Sequence, residues 1–131
     1  MAAGESLSRV LIFDDYHNDT FRKIATESAD QAGWDSLAFK NPHDALGHFD
    51  ERVGALVTAL GIMEFSSRSG CWRFPGQLLI DLSDAHGTPR AVLSSHPGAN
   101  KFIRHGTSDL VIPKDVKKPL QNMLSNFLMS L

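Results

Sequence analysis

With 131 residues, the chain has room for one domain with a real hydrophobic core. Its hydrophobic fraction of 42% and charged fraction of 21% are those of a soluble globular protein, and a formal net charge of -2 gives no electrostatic case for binding nucleic acid. A single cysteine, Cys71, excludes an intramolecular disulfide and argues against cysteine-ligated zinc.

Residues 1–8, Met1 to Ser8, are small and polar and lack the basic start and apolar stretch of a signal peptide, so they read as a short N-terminal tail before one domain over 9–131. No apolar run reaches membrane-spanning length, which points to a cytoplasmic protein with no membrane partner. Arg9 to Phe13 is a short continuous apolar run, as expected of a central strand covered on both faces. Asn18 or Asp19 can cap a helix with Phe21, Ile24, Ala25 and Ala29 inward, and Gly33 ends it. Ser36 to Phe39 is a second strand. Asn41-Pro42 then starts a helix expected to run to about Glu51, with Ala45, Leu46 and Phe49 inward. Ala55 to Leu60 is a third strand.

Gly61 to Phe74 is expected to be an irregular loop around Ser66-Ser67-Arg68-Ser69-Gly70. Pro75 opens a third helix, with Leu78, Leu79 and Leu82 on one face, and Gly87 closes it. Ala91 to Ser95 is the fourth strand, Ala99 to His105 a short fourth helix, and Leu110 to Ile112 the fifth strand. Asp115 caps a last helix with Leu120, Met123, Leu124, Phe127 and Leu128 toward the core. Pro119 is tolerated there because first-turn amides lack intrahelical partners.

Five strands, each followed by a helix, predict an α/β fold with a parallel sheet between helical layers. Right-handed crossovers favour the doubly wound, flavodoxin-like strand order 2-1-3-4-5. Ligands of such sheets sit beyond the carboxyl ends of the strands, at the switch between the first and third. Asp14, Asp15, Thr58, Ala59, Ser94, Ser95 and Lys114 all fall on that edge. Two adjacent carboxylates repel each other and suit a divalent cation, and an ammonium group opposite them suits a phosphoryl or carboxylate oxygen.

From about Arg9 to Leu128 the chain resembles the receiver domains of two-component response regulators. The resemblance lies in the apolar first strand ending in Asp14-Asp15, in Ser94 or Ser95 after the fourth strand, in the turn Gly106 to Leu110, and in Lys114 after the fifth strand. In that family the acidic pair binds magnesium, while the hydroxyl and the lysine hold an aspartyl phosphate. The departures are equally informative. The family's phosphoacceptor aspartate closes the third strand, and the matching position here is Thr58 or Ala59. Neither is the carboxylate nucleophile that an acyl phosphate requires. Glu64, the nearest carboxylate, stands several residues further on. Val111 occupies the position of the aromatic switch residue, and Asp115 follows Lys114 where the family has proline. The resemblance therefore implies a pseudo-receiver that does not run the phosphorylation switch.

Each feature also has a plain structural reading. Asp14 and Asp15 can hold magnesium, or balance Lys114 and cap the first helix; Lys114 is read first as their ion-pair partner and only second as an anion site. Apart from that magnesium, no cofactor is called for. Ser94 and Ser95 can satisfy strand-end backbone groups. The six histidines are scattered; His43 and His48, five apart on a predicted helix, have poor metal spacing. Lone Cys71 lacks a partner base. Met63, Phe65, Trp72 and Phe74 form either a satellite core beneath their loop, the reading favoured here, or an exposed docking surface.

Two function classes follow. The preferred one is a non-enzymatic binding module that contacts a sensor kinase, a phosphotransfer protein or another regulator, with a homodimer as a further option. Its candidate surfaces are the 61–74 segment, with Met63, Phe65, Arg68, Trp72 and Arg73, and a basic face with Lys101, Arg104 and Lys118. The other is a ligand sensor or enzyme using the Asp14/Asp15/Lys114 edge, or a receiver that still binds metal and is active. Against it, Asp14 to Asn18 contains no glycine for a phosphate-binding loop.

Overall fold

The computed structural model describes residues 9–61, 64–94, 110–112 and 117–131. Seven strands and four helices occur among them: β1 (Arg9–Phe13), α1 (Thr20–Gln31), β2 (Asp35–Phe39), α2 (Pro42–Leu46), β3 (Val53–Ala59), β4 (Glu64–Ser66), β5 (Cys71–Arg73), α3 (Gly76–His86), β6 (Arg90–Leu93), β7 (Leu110–Ile112) and α4 (Lys117–Met129). The main sheet is parallel throughout, in the order β2-β1-β3-β6-β7. Counting only its own five strands in chain order, this is 2-1-3-4-5, the doubly wound arrangement expected. The predicted helix at Ala99 to His105 lies outside the described residues.

Alternation along the strands builds the two layers. Val10, Ile12, Ala55, Val57, Ala91 and Leu93 point to one face, where Phe21, Ala25 and Ala29 of α1 and Leu120, Leu124, Phe127 and Leu128 of α4 cover them. Leu11, Phe13 and Leu56 point to the other, against Ala45 of α2 and Leu79 of α3. Because β1, β3 and β6 are covered on both sides, their sequences are nearly all apolar. β2 is an edge strand and only half-buried.

Local chemistry fixes most of the helix ends. Asp19 is the N-cap of α1 but makes no side-chain capping bond; the Asn18 side chain instead accepts from the Thr20 N–H at 3.0 Å. At the other end, Gly33 N–H donates to Asp30 O (3.1 Å) and Trp34 N–H to Ala29 O (2.8 Å), the paired closure of a Schellman motif. Asn41 caps α2 by accepting from the His43 N–H at 2.8 Å, with Pro42 in the first turn.

α2 does not reach Glu51. It stops at Leu46, with Gly47 as C-cap. Asp50 then makes a turn of its own, its carboxylate accepting from the Arg52 N–H at 2.9 Å, and that backbone hydrogen bond holds the Asp50 carboxyl below its ordinary pKa. Leu46 and Phe49 still pack against the core. The apolar spacing marks buried residues, but a turn carries Phe49 inward rather than a continued helix.

The segment after β3 also departs from expectation. The predicted irregular loop contains an antiparallel hairpin, β4 and β5, with Glu64 opposite Arg73, Phe65 opposite Trp72 and Ser66 opposite Cys71. Gly70, at a φ of 70°, turns the chain, and its N–H donates to Ser66 O at 2.8 Å.

Candidate functional site

Asp14 and Asp15 leave β1 at the carboxyl edge of the sheet. Asp14 is fully buried. Its N–H continues the ladder to Phe39 O (3.1 Å), and its Oδ1 accepts from the Tyr16 N–H (2.9 Å), closing an Asx turn. Arg22 of α1 reaches back over this loop: its Nη1 donates to the carbonyl oxygens of Asp14 at 2.7 Å and Tyr16 at 3.1 Å. Thus α1 holds the acidic loop against the sheet edge. Sequence reasoning missed Arg22, because a basic residue on an exposed helix face carries no signal of what it reaches.

Phe13 pairs with Thr58, so one residue further on Asp14 stands level with Ala59, which in turn pairs with Leu93 of β6. Both Thr58 and Ala59 are fully buried. The Thr58 hydroxyl donates to the Ala59 carbonyl oxygen at 2.9 Å, which commits it to the backbone. No carboxylate occupies the strand end beside Asp14. Half-buried Ser94 follows β6 on the same edge. Ser95 and Lys114 lie outside the described residues, as does the proposed ion pair of Lys114 with the acidic pair.

Asp15 packs over the exit from β3. Gly61 has a φ of 82°, and a Cβ placed there would lie 3.0 Å from Asp15 Oδ2 and 2.7 Å from Pro75 Cγ. A side chain at this position would be both strained and crowded. For magnesium the described donor set is short. It offers two adjacent carboxylates, one of them with an oxygen bonded to its own loop, and an alanine at the third strand end. Among the described residues no three His, Cys, Asp or Glu side chains gather to hold a metal ion.

The aromatic segment divides in two. Phe74 packs half-buried against Leu60, Ile80 and Val92, so it belongs to the core. Phe65 and Trp72 do not form the satellite core expected of them. They remain 54% and 65% exposed, stacked edge-to-face at 5.6 Å across the hairpin. The physical reason is the period-two register: Phe65 and Trp72 share one face of a two-stranded ribbon that the sheet does not cover. The turn Ser-Arg-Ser-Gly between two short strand-like runs was the signal available for this hairpin. Arg68 is exposed at the turn and Cys71 is a free, exposed thiol. Met63, Lys101 and Arg104 lie outside the described residues. Arg73 and Lys118 are placed by their backbone only.

Elsewhere, an open hollow of about 520 Å³ is lined by Asp19, Arg22, Lys23, Thr26, Glu27 and Ala38. It lies between α1 and the edge strand, and the acidic pair does not line it. Among the described residues no helix is long and apolar enough to cross a membrane.

The fold can now be compared with known proteins. A response regulator receiver domain protein from Clostridium thermocellum superposes with a TM-score of 0.63 at 13% identity, covering 95% of both chains. A CheY-like receiver domain protein from Methanospirillum hungatei JF-1 gives a TM-score of 0.65 at 14% identity, again covering 95% of each chain. A structure titled as adenylate cyclase, from Rhodopirellula baltica, gives 0.65 at 10% identity, covering 94% of this chain and 87% of the other. The chain therefore has the flavodoxin-like fold of response-regulator receiver domains, and at such identities the likeness is one of fold. No protein-family model matches the sequence, and no curated protein matches it.

Proposed function

We propose that this chain is a receiver-like signalling module of a two-component-type pathway that works by protein–protein contact without accepting phosphate. The observation that carries this reading is Ala59: the strand end level with Asp14 bears a methyl group where an acyl phosphate needs a carboxylate. The bonded, buried hydroxyl of Thr58 is no substitute nucleophile. Without a phosphate-driven switch, recognition falls to permanently displayed anchors. The hairpin supplies them in Phe65, Trp72 and Arg68, and the basic residues Lys101, Arg104 and Lys118 are the second candidate set. On this reading the chain is non-enzymatic and cytoplasmic, and its partner is a sensor kinase, a phosphotransfer protein or another regulator.

The test is phosphate uptake. The purified chain is incubated with magnesium and radiolabelled acetyl phosphate, then split into untreated and hydroxylamine-treated halves. No incorporated label is expected. Hydroxylamine-labile label would reveal an acyl phosphate, on Glu64 or another carboxylate, and would overturn the reading.

A further inference from the structure

The reading of the chain as a binding module leaves open what the hairpin binds. Phe65 and Trp72 are 54% and 65% exposed, and at ~150–250 Å² per aromatic side chain their open surface comes to roughly 200–300 Å². A stable self-dimer takes roughly 800 Å² from each copy, so this pair is too small to carry one. It matches the footprint of a short extended or helical segment. Charge narrows the choice further. The turn that borders the aromatic face, Ser66 to Cys71, carries one charged side chain, the exposed cation Arg68. Guanidinium groups pair with carboxylates in a two-pronged geometry, and Trp and Arg are the residues most often found to dominate binding energy. Aromatic rings already stacked at 5.6 Å on a hydrogen-bonded ribbon also lose little side-chain freedom on contact.

We propose that the Phe65–Trp72 face of the β4–β5 hairpin receives a short acidic, apolar peptide segment of a partner protein. Its aliphatic or aromatic side chains cover the two rings, and its carboxylate pairs with Arg68. This rests on the binding-module reading and specifies its partner.

The full-length chain is immobilised and used to select from a phage-displayed random peptide library. The peptides recovered are then measured by fluorescence anisotropy, each beside a version with lysine in place of its acidic residues. Selected sequences are expected to combine Asp or Glu with large apolar residues. Trp72→Ser and Phe65→Ser should each weaken binding by about tenfold or more, with the thermal unfolding midpoint checked for each variant. Arg68→Glu should shift preference toward the lysine version. Three results overturn the proposal: no peptides, peptides without acidic preference, or binding indifferent to Trp72→Ser. Sedimentation showing a dimer that Trp72→Ser dissolves would assign the face to a second copy instead. Trp72-dependent association with phosphatidylserine-containing vesicles, in the absence of peptide binding, would assign it to a membrane surface. Phosphate uptake is scored separately. A chain that takes no phosphate yet shows no hairpin-dependent peptide binding refutes this proposal alone.

Discussion

The α-carbon of Gly76 sits against the carbonyl oxygen of Ala59, so close that a Cβ on Gly76 would lie 1.9 Å from it. The Gly76 N–H also donates to Leu60 O at 2.9 Å. The start of α3 is therefore locked onto the exit of β3, at the level of the acidic pair. Gly76→Ala should destabilise the fold by about 2–3 kcal/mol, although alanine favours a helix over glycine by up to ~1 kcal/mol. Urea unfolding measures it. An unchanged midpoint would mean that α3 can move off β3 freely.

Arg90 opens β6 with its side chain fully buried, donating to Ser83 Oγ at 3.0 Å and pairing with Asp84. Asp84 and Ser83 lie in the last turn of α3, so the guanidinium ties that helix end to the sheet. Removing the anion leaves a buried cation poorly compensated, and Asp84→Ala should cost about 3 kcal/mol. Replacing the cation by an apolar chain of similar length is milder: Arg90→Met should cost less than Asp84→Ala. The order of the two denaturation midpoints is the test, and the reverse order would show that Arg90 contributes mainly by packing.

The parallel sheet and its order were legible because buried strands are written as apolar runs. Val10 to Phe13 and Ala55 to Leu60 need no partner to be recognised. Contacts made at a distance were not legible. Arg22 bonding to Asp14 O, Arg90 pairing with Asp84, and Gly76 against Ala59 depend on how elements meet, and a single sequence does not encode that locally. That Phe13 meets Thr58 and Ala59 meets Leu93 likewise shows only in the strand register. The 61–74 segment misled because its aromatic residues suggested burial, whereas two of the three, Phe65 and Trp72, sit on a ribbon face that nothing in the sheet covers.

Phe74 and Trp72 give a matched pair for testing that division. Phe74 packs on Leu60, Ile80 and Val92, so Phe74→Ala should lower stability by about 2 kcal/mol, below the full-burial range because the ring is only half-buried. Trp72 stands free of that cluster, and Trp72→Ala should change stability by less than about 0.5 kcal/mol. Equal losses in thermal or urea unfolding would return Trp72 to a core role and remove the hairpin as a displayed surface.

Ala59 allows the acidic edge to be tested by restoring what it lacks. Ala59 is fully buried and level with Asp14. A carboxylate placed there is desolvated beside a like charge, and both effects disfavour its ionised form. Ala59→Asp should therefore cost about 3 kcal/mol in metal-free buffer. The same three carboxylates, at Asp14, Asp15 and position 59, now offer a divalent cation a third oxygen donor. A ligand that binds only the folded state raises its stability, so magnesium should raise the unfolding midpoint of Ala59→Asp and leave the parent chain nearly unchanged. Isothermal titration should agree, with saturable magnesium binding in the variant alone. Tight binding by the parent chain would mean that Asp14 and Asp15 suffice as a metal site. A variant stabilised by magnesium would show that the edge keeps the geometry for a metal and lacks only the carboxylate.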